Sequence, residues 1–508
     1  MAKKRKDRQK GKKTGGDTEC NLDGDYISPI QSFRDVNGEN IKSVLVHSRY
    51  AQSLIILTIF GFFLRFYNLG FNSLWLDEAS THTFAVMSIP DIWRATAGGE
   101  FNPPLFYWIE HLMLTLGNNE VILRFVPALL GVLTIPLIYF AGKEFMDRNV
   151  GIIAAAAFAF SPFLIYYSQD ARAYSMMLFF VAFAMVFYFK ALKTNDLKNW
   201  ALFGILSALA FWSHFYSFVI IASLILYALF LQIGNFKKNI QNLKMIALST
   251  VLFVILCLPL ILLAIQLFAN RTSSVPTFGI QGIGIISETF QQLSGFSDIP
   301  MFLFLILFII GIIQAFLIDK NKGIFLVTLT VLTFVISFIL SYKMPMQPRY
   351  LIFFITIFFL GVAVSYKMFY SLINNRGVVY GFIALLIVVS APMLMDYYKG
   401  YSKDDWRGLS GQIQQMTKPG DLIVLVPSYI SQPLNYYYVN VSDQTFEFGA
   451  NTGKQLEAIN AGKGNSTAFF IVTGDISSAN PNGDAIAWIN EYTKPLGQNT
   501  GIRLFVSA

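Results

Sequence analysis

Apolar runs of membrane-spanning character recur through most of this chain, near residues 51–69, 121–142, 150–167, 173–191, 200–213, 215–233, 245–268, 301–318, 324–342, 349–367 and 377–395. A helix that crosses a bilayer needs ~20 largely apolar residues, and it must satisfy every backbone polar group internally. Eleven such runs lead to one expectation, a polytopic α-helical membrane protein. Only 13% of the 508 residues are charged, about half the ~25% share of a soluble domain. That composition excludes a disordered chain, a nucleic-acid-binding module and an ordinary cytosolic enzyme. The shorter stretch 103–117, PPLFYWIEHLMLTLG, begins with Pro-Pro and carries Glu110 and His111. It is expected to lie at the interface or to re-enter.

Basic residues orient the bundle. Lys and Arg collect in cytoplasmic loops, and segments 143–149, 190–199, 235–244, 319–323 and 365–377 each hold at least two of them. With eleven spans these loops face the cytoplasm, and so does the N-terminus. Segments 70–120, 168–173, 269–300 and 343–349, and everything after Met395, then lie outside. The formal charge of +8 does not bear on function, because residues 1–16 hold eight basic residues and one acid, or +7 of it. Residues 1–50 are expected to form a disordered, basic cytoplasmic tail that touches anionic headgroups. Cys20 and Cys257 are too few and too differently placed for a disulfide framework.

After residue 395 the composition changes. The β-rich runs 421–428, 468–474 and 502–507 alternate with helix-like stretches at 407–418 and 483–494. This pattern predicts a small extracytoplasmic α/β domain over 396–508, following a membrane domain over 51–395.

Charge beside a span is costly and therefore informative. Asp77 and Glu78 follow the first span, flanked by Trp75 and His82. They are either acids favoured in the first turn of an interfacial helix or carboxylates that accept a proton from a hydroxyl nucleophile. Asp170 and Arg172 occupy a short outer loop among Tyr166, Tyr167 and Tyr174. They form either a local ion pair or a site for phosphate and sugar hydroxyls. Gln347 and Arg349 begin a later span, where an Arg often only snorkels, and His214 sits at an outer turn. All of these positions share the outer face. That placement suits a substrate with an apolar tail and an anionic head.

The ordered segments LRFYNLGFNSLWLDEA, FNPPLFYWIEHL and LRFVPALLGVLTIPLIYFAGKEFMDRNVGIIAAAAFAFSPFLIYYSQDARAYSMMLF, together with the later QPRY, resemble the GT-C glycosyltransferases. They are most similar to the polyprenyl-phosphate-sugar-dependent protein mannosyltransferase and aminoarabinose transferase type, which includes bacterial lipopolysaccharide sugar transferases. The resemblance is densest over 60–220. It implies a membrane enzyme that takes a sugar from a polyprenyl-phosphate carrier, inverts its anomeric centre, and passes it to a glycan, lipid or protein outside the cytoplasm. It also implies roles for single residues: Asp77 as general base, Glu78 and Asp170 as further catalytic acids, and Arg172 and Arg349 at the donor phosphate. Tyr167, Tyr174, His214 and Gln347 would line the substrate pocket. The resemblance leaves open a divalent metal ion, with Glu100, His82 and His214 as candidate ligands, although no dedicated motif such as HExxH is present. The rival reading is a transporter or flippase of lipid-linked or anionic substrates. It calls for charges at mid-span depth and broken helices, whereas here the charges sit at helix ends.

Overall fold

The structure, a computed structural model, describes residues 38–233, 239–272, 276, 278–438 and 445–507. The basic run at 1–16 and Cys20 lie outside the described residues. A helix, α1 (Gly38–His47), precedes the first span, α2 (Arg49–Phe66). The expected tail is therefore already helical from Gly38, where Glu39 sits in the favourable first turn.

The outer segment after α2 folds into three short helices, α3 (Leu76–Ala85), α4 (Ile89–Ala97) and α5 (Leu105–Met113). At nine residues α5 is about 13 Å long, far short of a span. The bundle continues with α6 (Glu120–Phe145), α7 (Arg148–Phe160), α8 (Pro162–Ser168), α9 (Tyr174–Thr194), α10 (Leu197–Ser213) and α11 (Ser217–Phe230). Then come α12 (Ile240–Arg271), α13 (Gly284–Leu293), α14 (Asp298–Ile318), α15 (Lys320–Ser341), α16 (Phe354–Val364), α17 (Tyr366–Ile373) and α18 (Gly377–Lys399).

Every expected apolar run is helical, but the count of eleven full spans is corrected. Among the described residues eight helices, with α16 and α17 read as one, are long and apolar enough to cross a membrane. The count reaches nine if α7 and α8, bent by 59° at Ser161, form one broken span. The helices α10, of 17 residues, and α11, of 14, are shorter than these eight. Asp196 caps α10 and His214 closes it, which bounds that helix at its 17 residues.

Close packing inside the bundle rests on small residues, as expected where lipid supplies no hydrophobic drive between helices. A Cβ on Gly311 of α14 would overlap the Gly361 carbonyl oxygen of α16. The inner helices are apolar all round and buried: all eleven residues of α16 are inaccessible, as expected of a helix surrounded by others.

The C-terminal segment begins with α19 (Trp406–Met416) and builds a five-stranded sheet from β1 (Leu422–Val426), β2 (Phe446–Gly449), β3 (Ala468–Thr473), β4 (Thr493–Asn499) and β5 (Ile502–Ser507). Strand order is β2-β1-β3-β5-β4. The first three strands are parallel, with Ile423 opposite Phe469, and β5 runs antiparallel to both β3 and β4. Every residue of β1 and β3 is buried, so both faces are covered. Leu422, Val424 and Val426 meet α21 (Gly453–Gly462), α22 (Ile476–Ala479) and α23 (Asp484–Tyr492). Ile423 and Leu425 meet α19 and α20 (Ser431–Tyr437). The alternation of adjacent side chains between faces thus produces a three-layer α/β/α unit. Strands β2 and β4 are largely exposed edges and carry no clear apolar pattern.

Candidate active site

Asp77 and Glu78 open α3 side by side and point into different environments. Asp77 remains about a quarter exposed (26%), with Oδ2 3.5 Å from Nη2 of Arg349. Glu78 is fully buried. Its Oε1 accepts from Arg124 Nε at 2.7 Å and from the Ala171 backbone N–H at 2.8 Å, and its Oε2 accepts from Arg124 Nη2 at 2.6 Å. The remaining Arg124 donors reach the carbonyls of Leu69, Asn72 and Ser73 at 2.8–3.0 Å, so all five guanidinium N–H groups are used.

A second cation reaches this cluster from far along the chain. Lys403, in the link between α18 and α19, places Nζ 3.1 Å from Glu78 Oε1 and 3.0 Å from Asp170 Oδ1, with its side chain 1% exposed. Asp170 Oδ1 also accepts from the Trp75 indole N–H at 2.8 Å. The link is sewn to the loop before α3. Ser402 N–H donates to Asn72 Oδ1, Ser73 Oγ donates to the Asp404 carbonyl, and Trp406 N–H donates to Ser73 Oγ. Tyr437 of α20 adds a hydroxyl bond to Glu120 at 2.6 Å and accepts from Leu74 N–H at 2.7 Å.

Arg349 lies in the 3₁₀ turn Pro348–Leu351, with its guanidinium 5.5 Å above the Trp75 ring and 5.6 Å from the Tyr350 ring. Arg172 donates to the Asp77 carbonyl at 3.3 Å and borders a recess of about 420 Å³ with Phe101, Asn102, His214, Arg271 and Tyr350. A smaller adjoining pocket adds Tyr107 and Tyr174. Tyr174 stands 5.5 Å from the His214 ring, and Tyr167 packs edge-on against Tyr174 at 5.3 Å. The site expectations thus divide. Arg172, His214 and Tyr174 line the recess or the pocket beside it, while Asp77 and Arg349, partly exposed and paired with each other, adjoin it through Arg172 and Tyr350. Glu78 and Asp170 are sealed beneath it at zero exposure, and Gln347, half-buried at the start of its turn, is not a lining residue of the recess. Asp475 of the C-terminal unit, half-buried after β3, lies close enough to feel the charges of Asp77 and Arg349.

The expected metal ligands do not converge. Among the described residues no three of His, Cys, Asp and Glu gather as a metal would require. Glu100 already takes hydrogens from Asn102 and Tyr107, and the His82 ring packs edge-on against Tyr436. These residues do not fit a bound divalent ion.

Burial opposes charge on Glu78, yet Arg124 and Lys403 prevail and hold its carboxyl at about 2, below the ordinary 4.5. Burial, with Arg172 and Arg349 nearby, holds His214 at about 3, below 6.5, so its ring is neutral. In both cases the unfolded chain binds the proton more readily. Glu78 therefore stabilises fully above its unfolded value of 4.5 and loses this as pH falls towards 2. His214 adds a loss between 6.5 and 3. Asp170, raised mainly by burial, opposes the trend in its own range. The unfolding temperature of detergent-solubilised protein is expected to drop steadily on acidification from pH 6.5 to 3; a flat profile across that window would contradict these assignments.

A family model described as dolichyl-phosphate-mannose-protein mannosyltransferase matches residues 102–263. Among solved structures, ArnT from Cupriavidus metallidurans in the apo state superposes with a TM-score of 0.58 at 11% identity, covering 91% of this chain and 99% of that one. The chain shares that protein's fold. The same ArnT bound to undecaprenyl phosphate gives 0.53 at 12% identity, covering 90% and 98%. The Archaeoglobus fulgidus oligosaccharyltransferase in complex with Zn and sulfate gives 0.54 at 12% identity, covering 89% and 72%. An uncharacterized protein of Aquifex aeolicus is 26% identical over 147 residues, 27% of this chain. The chain spans only 30% of the length of that relative. The chain is thus a multi-pass membrane protein with the fold that its sequence resembles.

Sequence reasoning missed Arg124, Lys403 and Arg271. Arg124 did leave a signal, an arginine three residues after an apolar run begins. Lys403 left none, because it lies in a polar stretch where a lysine is unremarked.

Proposed function

We propose that this protein transfers a sugar from a polyprenyl-phosphate carrier to an acceptor hydroxyl on the non-cytoplasmic side, with inversion at the anomeric carbon. The observation that carries this reading is the Asp77 carboxylate held 3.5 Å from the Arg349 guanidinium, beside a recess bordered by Arg172 and Arg271. Asp77 takes the proton of the acceptor hydroxyl as its oxygen attacks the anomeric carbon. The bond from that carbon to the phosphate oxygen breaks, and the departing phosphate keeps the electron pair. Arg349 and Arg172 meet the growing negative charge. A phosphate is a competent leaving group, so the reaction does not depend on a general acid. Tyr174, Tyr167 and the neutral His214 ring form an aromatic wall suited to a sugar face. Glu78 and Asp170 act as positioning residues beneath Asp77. The ArnT structure with undecaprenyl phosphate supports the lipid-phosphate donor by analogy of fold, and no step here runs through a metal.

The test is mass spectrometry of lipid-linked sugars in a strain lacking the gene. One polyprenyl-phosphate sugar is expected to accumulate, and purified protein in vesicles should consume it in the presence of acceptor. A strain with an unchanged lipid-linked pool would overturn the reading; consumption of none by the purified protein would do the same.

The reading also sets an orientation. Lys454→Cys, at an exposed position of α21, is expected to react with an impermeant maleimide on intact cells. Labelling only after lysis would place the sheet unit, and the site with it, in the cytoplasm.

A further inference from the structure

Lys403 belongs neither to a span nor to the sheet, yet its ammonium is buried and paired with two carboxylates beneath the site. Of the three N–H donors of a lysine, two reach Asp170 Oδ1 at 3.0 Å and the Gln169 carbonyl at 3.1 Å, and Glu78 Oε1 stands 3.1 Å away as an ion-pair partner. The Tyr166 ring closes the remaining side, 5.5 Å from Nζ. Glu78 and Asp170 contribute two negative charges to this buried cluster, and Arg124 and Lys403 contribute two positive ones. Without Lys403 the cluster would carry one unbalanced negative charge in a place that water does not reach. Such a charge is costly enough to move its neighbours.

The neighbours lead directly to the reacting groups. Asp170 Oδ1, which Lys403 holds, also holds the Trp75 indole N–H at 2.8 Å. The Trp75 ring supports the Arg349 guanidinium at 5.5 Å, and Arg349 stands 3.5 Å from Asp77. We propose that Lys403 is a positioning residue of the transfer site, fixing Trp75 through Asp170 and, across the Trp75 ring, the Arg349 guanidinium beside Asp77. The C-terminal segment therefore completes the site from below, rather than serving as an appended module. The donor-binding part of this inference rests on the transfer reading; the link from Lys403 to Trp75 does not.

Two measurements on full-length protein in lipid vesicles test it. The first is the emission of Trp75, obtained without ligand as the difference between each protein and its Trp75→Phe counterpart. The second is the affinity for undecaprenyl phosphate incorporated in the vesicles. In Lys403→Met the Trp75 emission is expected to move, and undecaprenyl phosphate to bind about tenfold more weakly. Lys403→Arg keeps the charge but not the compact three-donor geometry, and should show the same changes at about threefold. Should Lys403→Met fail to fold, Lys403→Arg carries both readouts. An unmoved Trp75 emission in a folded variant overturns the proposal, as does a moved emission with unchanged affinity. If the unaltered protein binds no undecaprenyl phosphate while the emission still moves, the donor reading falls and the Lys403–Trp75 link stands.

Discussion

Asp77→Asn protein is expected to bind its lipid-linked donor undiminished and to turn it over about 10²–10⁴-fold more slowly, the range lost with a general base. The substitution keeps the shape of a side chain that is about a quarter exposed (26%) and bears no structural load beyond the 3.5 Å contact with Arg349. Insertion and unfolding temperature should therefore be unaffected. Single-turnover rates and donor affinity, measured separately on the purified variant, check this. A variant that turns over normally would remove Asp77 from the chemistry. A loss of affinity with normal turnover would make it a binding residue instead. The adjacent Glu78 should behave differently, because it is fully buried and an acceptor hydroxyl has no access to it.

Arg124→Leu is expected to destabilise the protein by about 3–5 kcal/mol, the usual cost of breaking one side of a buried ion pair. Two losses combine. The Glu78 carboxylate loses its two-pronged partner, and the carbonyls of Leu69, Asn72 and Ser73 lose their donors. Arg124→Lys should recover only part of this, since a single ammonium cannot reproduce a five-donor fork. Thermal unfolding in detergent, followed for both variants, gives the answer. Equal stability of Arg124→Leu and the unaltered protein would mean that the loop before α3 is held by the C-terminal contacts alone.

These two residues mark how far the sequence could be read. The spans were legible because apolar length is a local property, and the bend at Ser161 or the shortness of α11 only trims the count. Asp77, Arg172 and Arg349 were legible as a group because topology alone puts all three on one face. The division of labour between Asp77 and Glu78 was not, because adjacent residues in a helix point about 100° apart and the sequence does not say which direction is water. The answer depends on Arg124, 46 positions later, and on Lys403, which arrives from beyond the last span. Strands β2 and β4 escaped for a related reason: as exposed edges they lack the buried run that identified β1 and β3.

The helix α12 has a consequence for how a substrate arrives. Its 32 residues make a rod about 48 Å long, against a hydrocarbon core of about 30 Å. Tilt absorbs part of such an excess, and the remainder must stand proud of the acyl chains. Arg271, its last residue, borders the recess, so that opening stands at an end of this over-long helix and not midway along it. A carrier diffusing in the leaflet would present its phosphate at the doorway with its tail still dissolved among neighbouring lipids. Capture then becomes a search in two dimensions, and only the head of the molecule has to change surroundings.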